Sequence, residues 1–280
     1  MSALFLLLQR LVPQHALSRL VGQLARARGP LWLKDAVIRR FVAHYGVDLD
    51  EAERPSAEAY RSFNEFFTRP LKDGARPLCV SGIACPADGA ISECGAIDGD
   101  YLLQAKGRRY SLAALLADDE ARVAQFRGGQ FLTVYLSPRD YHRVHMPLDG
   151  QLENSAYVPG DLFSVNGTTA AGIDDLFARN ERHVSYFATP RGPMAMVLVG
   201  AMIVAGIETV WAGQVAPRPR RVERMDHRAA PEPVLLNRGD EMGRFFLGST
   251  VVLLFPPGVA SWNADLAPGS VVRMGEQLAA

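Results

Sequence analysis

Three short segments of the sequence carry side chains that can transfer protons or attack a carbonyl group. Asp88 precedes a glycine, and His142 and His145 stand three residues apart. Ser249 follows Gly248 within an apolar run. A serine hydroxyl is a weak nucleophile until a base removes its proton, and an imidazole suits that task because it titrates near neutrality. Taken one at a time, the segments are also typical of a turn, of structural histidines and of a β-bulge.

Other catalytic and ligand-binding motifs are missing. The sequence contains no GxSxG, GxGxxG, Walker or HExxH pattern. The spacing of His142 and His145 could hold a metal ion, but no third ligand stands near them, so we expect no metal site. The three cysteines, Cys79, Cys85 and Cys94, have no CxxC spacing and fit a reducing compartment.

The first 60 residues show helical periodicity. Apolar residues recur on one face in three successive sets: Leu4, Leu7, Leu8 and Leu11; Leu17, Leu20, Val21 and Leu24; and Ile38, Phe41, Val42 and Tyr45. Residues 1–40 carry seven basic side chains and one acid, a net charge of +6, whereas the other 240 residues carry −6. These faces could pack on the rest of the protein, but the charge favours helices that lie at an anionic membrane surface.

The remainder of the chain indicates a β-rich body. Glycines and prolines separate short apolar runs, a pattern typical of strands, and no repeated βαβ rhythm is present. The predicted strands are Gln130–Leu136, Gln151–Val158, Met194–Trp211, Phe245–Phe255 and Ser270–Leu278, and the predicted helices are Leu112–Ala124 and Ile173–Asn180. The proline-containing stretch Ala216–Pro233 is predicted to be an exposed loop. The fold class is therefore α+β.

Size and overall charge limit the classes of function. A chain of 280 residues with 48% hydrophobic content can bury a sizeable core. Its net charge of zero gives no electrostatic reason to expect a nucleic-acid partner.

Seven motifs, in order along the chain, give a resemblance to one family. They are FNEFFTRPLK (Phe63–Lys72), PADG (Pro86–Gly89), DYHRVHMP (Asp140–Pro147), YVPGDLFSVN (Tyr157–Asn166), LFARNER (Leu176–Arg182), ETVWAG (Glu208–Gly213) and EMGRFFLGST (Glu241–Thr250). Together they resemble the motifs of bacterial phosphatidylserine decarboxylase proenzymes. The first 60 residues resemble that family only in being basic, amphipathic and helical.

The resemblance implies a proenzyme that cuts itself between Gly248 and Ser249. Asp88, His145 and Ser249 would form the set that performs the cleavage, and Ser249 would become a covalent pyruvoyl group, the only cofactor expected. That group would form a Schiff base with phosphatidylserine and release CO₂ to give phosphatidylethanolamine. His142 would act in this later decarboxylation.

The resemblance also implies an organisation and a set of partners. Residues 1–60 would be a membrane-associating helical region, and residues 61–280 the catalytic body, cleaved into chains 1–248 and 249–280. We expect the two chains of one precursor to stay together. The resemblance also implies a possible homodimer of such precursors, and a peripheral location on the cytoplasmic face of the cell membrane. Tyr141, Ser164 and Asn166 could hold the substrate's carboxylate or phosphate through hydroxyl and amide donors.

Three alternatives remain open at the level of sequence. A conventional serine hydrolase would use the same serine, histidine and aspartate types without cutting its own chain. A non-enzymatic membrane-binding domain would not need the serine at all. A pyruvoyl decarboxylase for a soluble substrate would not need the amphipathic N-terminal helices.

Overall fold

The computed structural model describes residue 9 and residues 12–202, 206–217 and 221–280. The first predicted helical set, which includes Leu4 and Leu11, lies outside these residues. Three helices and a 3₁₀ turn open the described chain: α1 (Gln14–Arg26), α2 (Leu31–Tyr45), the turn Ala57–Ala59 and α3 (Phe63–Phe67). The chain continues as a β-rich body with short helices, so the predicted α+β class is confirmed.

A nine-stranded antiparallel sheet forms the centre of the body. Its strands are β2 (Gly89–Ala96), β5 (Gln130–Tyr135), β7 (Gly150–Val158), β8 (Arg182–Thr189), β9 (Gly192–Val199), β12 (Glu223–Asp226), β13 (Leu235–Leu236), β15 (Thr250–Phe255) and β16 (Val271–Val272). Their order is β12-β7-β8-β9-β15-β5-β2-β16, with β13 beside β7. β15 therefore lies inside the sheet, between β5 and β9.

A second, four-stranded sheet packs near the first. It contains β11 (Gly213–Ala216), β10 (Gly206–Thr209), β14 (Glu241–Phe246) and β6 (Arg143–His145), in that order. Two small pairs complete the strands: β1 (Ile83–Ala84) with β17 (Gln277–Ala279), and β3 (Tyr101–Ala105) with β4 (Arg108–Ser111). The short helices are α4 (Leu112–Leu116), α5 (Glu120–Ala124), α6 (Gly167–Gly172) and α7 (Leu176–Arg179).

The large sheet has a hydrophobic core on each face. Alternate residues of β15 separate them, because successive side chains of a strand point to opposite faces. Val251, Leu253 and Phe255 pack with the second sheet, through residues such as Phe245. Val252 and Leu254 pack with α4, α5 and α7. All six residues of β15 are buried.

The predicted strand Phe245–Phe255 is wrong as a single element. The structure divides it into β14 and β15, which belong to different sheets. Leu247–Ser249 form the crossing between the two sheets, rather than a bulge within one strand. The run is apolar on both sides because each strand contributes to the same large core, and only the pairing partners distinguish the two.

Other elements also differ from the sequence predictions. The predicted helix Leu112–Ala124 is split into α4 and α5, because Ala117 adopts a left-handed conformation with φ of 49° that ends α4. The predicted strand Met194–Trp211 is divided between β9 and β10. Within the predicted loop Ala216–Pro233, residues Glu223–Asp226 form β12 and pair with β7.

The N-terminal helices use their apolar residues in two ways. α1 buries the small residues Ser18, Gly22 and Ala25 and leaves Leu20 and Leu24 exposed. On α2 the predicted face does pack inward at Ile38, but Leu31, Trp32, Leu33 and Val37 are exposed on other sides. Among the described residues, no helix combines the length and the apolar character needed to cross a membrane.

Candidate active site

The crossing between the two sheets has an unusual backbone. Leu247 and Gly248 are consecutive residues with positive φ, 78° and 89°. Glycine adopts this conformation readily, but a bulky residue in it is an outlier that costs about 1–3 kcal/mol and persists only where its surroundings hold it. The segment immediately before Ser249 is therefore strained.

Ser249 lies at the buried end of this crossing, where β15 begins. Its side chain is 2% exposed, and its hydroxyl donates to Thr250 Oγ1 at 3.3 Å. Its carbonyl accepts from the Leu136 N–H at 2.8 Å, which continues the pairing of β15 with β5. The serine is thus fixed by its backbone, while its hydroxyl makes only one long hydrogen bond.

His142 lies beside the glycine of the crossing. Its Nδ1 is 2.8 Å from the carbonyl oxygen of Asp140. Because a carbonyl only accepts, Nδ1 carries the proton and Nε2 is left with a free lone pair. Nε2 is buried without a hydrogen-bond partner among the described residues, and it lies 3.6 Å from the position that a Cβ on Gly248 would occupy. An unprotonated nitrogen therefore faces the Gly248–Ser249 segment.

The surroundings of His142 keep it neutral. The Phe67 ring lies 4.0 Å from the imidazole, centroid to centroid. Burial, together with the positive charge of Arg69, lowers the pKa of His142 to about 3. At neutral pH the imidazole of His142 is therefore uncharged and can act as a base. The Phe67 ring, from α3, packs against it.

His145 has the same tautomer but a different neighbour. Its Nδ1 lies 2.8 Å from the carbonyl oxygen of Gly239, so Nδ1 donates and Nε2 accepts. The Tyr141 hydroxyl lies 3.0 Å from Nε2 and donates to it. Burial lowers the pKa of His145, against the opposing effects of the Gly239 hydrogen bond and the Glu241 charge. The tautomer is therefore set by a backbone carbonyl.

Asp88 is held by an arginine. Its two carboxylate oxygens accept from Arg76 Nε and Nη2, and one also accepts from the Met274 N–H at 2.8 Å. Arg76 also pairs with Glu51 at 2.6 Å. Among the described residues, no hydrogen bond joins Asp88 to His145. Strand β6 nevertheless brings the two close, since the His145 N–H donates to the carbonyl of Pro86, two residues before Asp88.

The three predicted substrate-binding residues lie in different settings. Tyr141 borders a polar cavity of about 300 Å³ together with Asp88, Arg76 and Arg69. The Asn166 side chain caps α6 by accepting from the Thr168 and Thr169 N–H groups.

Ser164, the third of them, is half-buried and donates its backbone N–H to Gln9 Oε1. The structure thus brings Tyr141 to His145, while Asn166 stabilises a helix. The proposed contacts of all three with substrate stay predictions.

An apolar groove between α1 and α2 leads to the crossing. Its volume is about 940 Å³, and its lining includes Leu24, Leu33, Val37, Phe41 and Leu247. Leu247 is the residue immediately before Gly248. The groove therefore connects the exposed apolar residues of the helices with the segment that carries the candidate catalytic groups.

Several residues of the site gave no signal in the sequence. Arg76 and Gly239 stand in segments without a recognisable motif, and their roles depend on contacts with residues far along the chain. Phe67 falls inside the motif FNEFFTRPLK, but its type alone indicates only a core aromatic. In the described part of the chain, no group of three His, Cys, Asp or Glu side chains is placed to hold a metal ion.

Comparison with known proteins shows the family of this chain. A family model described as phosphatidylserine decarboxylase matches residues 63–280, and a second, described as PSD, matches residues 4–46. Two similar proteins are the phosphatidylserine decarboxylase proenzymes of Alcanivorax borkumensis, 56% identical over 99% of this chain and 96% of its own length, and Hahella chejuensis, 53% identical over 98% and 93%. That of Pseudomonas aeruginosa is 56% identical over 99% and 96%. The chain belongs to the phosphatidylserine decarboxylase family.

Proposed function

We propose that this protein decarboxylates phosphatidylserine to phosphatidylethanolamine, using a pyruvoyl group that it makes from its own Ser249. The observation that carries the proposal is the strained Leu247–Gly248 backbone before a buried serine, with the free Nε2 of His142 directed at Gly248. The family membership and the names of the relatives support the substrate and the reaction. Their description as proenzymes supports processing of the chain.

In the proposed self-cleavage, the Ser249 Oγ attacks the carbonyl carbon of Gly248 and gives its proton to a histidine Nε2. The Gly248–Ser249 C–N bond breaks, the histidine proton passes to the released nitrogen, and an ester joins Gly248 to the serine oxygen. A base then takes the Ser249 Cα proton as the Cβ–O bond breaks, which releases the Gly248 carboxylate. Tautomerisation and hydrolysis with loss of ammonia leave a ketone on the new N-terminus.

The residues at hand fit a ketone at this position. β5 and β9 hold β15 on both sides, so residue 249 would keep its place after the cut. A pyruvoyl ketone at residue 249 would supply an electrophilic carbonyl for the substrate amine and an electron sink for the loss of CO₂. His142 Nε2, whose ring is fixed by Asp140 and Phe67, would take the proton that the substrate ammonium must lose before it condenses and would return it to the substrate carbon after CO₂ leaves.

We propose His145 as the base of the cleavage step and Asp88 as its partner, the division that the family resemblance implies. Two contacts of the structure must change for this set to assemble. His145 Nε2 must leave the Tyr141 hydroxyl, and Asp88 must turn from Arg76 towards the imidazole. Asp88 and Tyr141, the residues that would have to give way, line the same cavity and so border space into which they can move.

The proposed site of action is the cytoplasmic face of the membrane, at the bilayer surface. Leu20, Leu24 and Trp32 present exposed apolar surface, and residues 1–40 carry a net charge of +6 that would attract anionic lipid. We assign the groove between α1 and α2 to the acyl chains of the substrate, because it is apolar and Leu247 is part of its lining. A substrate anchored there would place its headgroup near residue 249.

Single substitutions of the two histidines test the proposal. In vesicles of phosphatidylserine and phosphatidylcholine, the wild-type protein should convert phosphatidylserine to phosphatidylethanolamine. His142→Ala should still cut itself but lose at least about a hundredfold in turnover, the usual contribution of a general acid. His145→Ala should remain one uncut chain without activity.

Ser249→Ala is the matched control, since it removes the nucleophile and leaves both histidines in place. It should be uncut and inactive. Cleavage that is lost in His142→Ala but kept in His145→Ala would reverse the assignment of the histidines. Phosphatidylethanolamine formation by uncut Ser249→Ala would contradict the proposed function itself.

A further inference from the structure

Leu247 is the only non-glycine residue of the crossing that has a positive φ. A leucine has no intrinsic preference for this conformation, because its side chain makes the left-handed region unfavourable. The conformation must therefore be imposed by what the residue contacts. The Leu247 side chain is partly buried against a separate hydrophobic cluster of the N-terminal helical region.

This N-terminal cluster consists of Ile38, Val47, Ala57, Tyr60, Phe66 and Phe67. Hydrogen bonds and ring packing connect its parts. Lys34, buried on α2, donates to the carbonyls of Ala57 and Tyr60 at 3.0 and 2.6 Å and so connects the helix to the 3₁₀ turn. The Phe66 ring packs edge-on against Tyr60.

The N-terminal cluster makes two contacts around Gly248. The Leu247 side chain packs against it, and its member Phe67 packs on the His142 ring at 4.0 Å. One cluster therefore contacts both the residue before Gly248 and the imidazole whose Nε2 faces Gly248. Neither β14 nor β15 provides this arrangement, because the pairing of β14 ends at Phe246 and that of β15 begins at Thr250.

We propose that Leu247 is a positioning residue for self-cleavage. The N-terminal cluster anchors its side chain and so keeps Leu247 and Gly248 in the strained conformation with positive φ that precedes the Gly248–Ser249 bond. The inference rests on the proposed self-processing. Scission would free Leu247 and Gly248 from the covalent link to β15, which allows the strained segment to relax and disfavours re-formation of the bond. The helical region thereby contributes to processing as well as to contact with lipid.

Three substitutions of Leu247 separate anchoring, backbone conformation and simple stability. Met keeps an apolar side chain that can fill the same place in the N-terminal cluster. Ala removes the anchor and keeps the penalty for positive φ. Asn also removes the anchor and is at least as unfavourable in an apolar cluster, but it adopts the left-handed region more readily than other residues.

The measurement is the rate at which full-length chains, synthesised in a cell-free pulse and chased, become the 248-residue product. We expect Leu247→Met to process within about twofold of wild type and Leu247→Ala about tenfold or more slowly, the effect of a barrier raised by about 1.4 kcal/mol. Leu247→Asn should lie between them. A purely structural role of the side chain predicts that Asn is no faster than Ala.

Leu236→Ala is the matched control, because Leu236 is another partly buried leucine that packs on a different cluster. It should process at the wild-type rate. Wild-type processing by Leu247→Ala, or an Asn variant no faster than the Ala variant, would overturn the proposal. If the Ala variant fails to fold, a folded Leu247→Met variant that processes more than about tenfold more slowly than wild type would overturn the proposal. Failure of the wild-type chain to process at all would instead sink the proposed function.

Discussion

At the scale of single residues, the candidate site contains two neutral histidines with the same tautomer. Each donates from Nδ1 to a backbone carbonyl, Asp140 for His142 and Gly239 for His145. The tautomer role that hydrolase triads give to an aspartate is therefore filled by the backbone in this structure, and Asp88 is engaged by Arg76 instead. What distinguishes the histidines is the partner of Nε2: a tyrosine for His145 and the Gly248 segment for His142.

The lowered pKa of His142 predicts a specific dependence of stability on pH. The ordinary pKa of 6.5 applies to the unfolded chain, and burial lowers the folded value to about 3. Below pH 6.5 the unfolded state binds a proton that the folded state does not, so the free energy of unfolding decreases as pH falls. The decrease approaches about 1.4 kcal/mol per pH unit. His145, whose pKa is also lowered, contributes in the same direction.

Unfolding by urea at pH 7.5 and pH 5 measures this effect, in uncut Ser249→Ala protein. His142→Asn should lose about 2 kcal/mol less than its parent between the two pH values. His44→Gln, a change at an exposed histidine of α2, should keep the full loss. An unchanged loss in His142→Asn would show that His142 is not buried as a neutral base.

At the scale of secondary-structure elements, sequence patterns predict the type and position of a strand or helix better than they predict which strands pair with one another. The strands Gln130–Leu136 and Gln151–Val158 are confirmed within a residue or two, and the periodic set that begins at Ile38 lies on a helix, as predicted. The break between β14 and β15 was missed because both halves are apolar and local periodicity carries no information on which sheet a strand joins. The same limit applies to the site, since Arg76 reaches Asp88 only through tertiary packing.

The exposed apolar residues of α1 and α2 predict how the protein meets the bilayer. Leu24 and Leu33 line the groove and are 66% and 46% exposed. A charge at either position would have to enter the acyl region, so Leu24→Glu and Leu33→Glu should each weaken binding to phosphatidylserine-containing vesicles by about tenfold, or ~1.4 kcal/mol. Co-sedimentation of Ser249→Ala protein with vesicles measures this without consuming the lipid.

Leu235 provides a matched control for these two substitutions. Leu235, in β13, is also 66% exposed but lies outside the helical region. Leu235→Glu should bind vesicles as the parent does. Equal weakening by all three variants would indicate a general effect of negative charge, and no weakening by Leu24→Glu and Leu33→Glu would remove these helices from the membrane surface.

At the scale of the whole molecule, the proposed cut falls at the crossing between the two sheets. β15 pairs with β5 and β9 along its length and is buried on both faces, so the 32-residue product would remain part of the core. The cut would separate two sheets that continue to share that core. A segment so short could not fold alone, which makes the two chains one structural unit.

The central claim, self-cleavage at Gly248–Ser249, is tested most directly by intact mass spectrometry of the purified, folded protein after denaturation. We expect two chains, residues 1–248 and residues 249–280, with a ketone replacing the amine at the start of the smaller one. Ser249→Ala should give only the full-length mass. A wild-type sample that is folded and shows only the full-length chain, or a small chain that begins with an ordinary serine amine, would contradict the account.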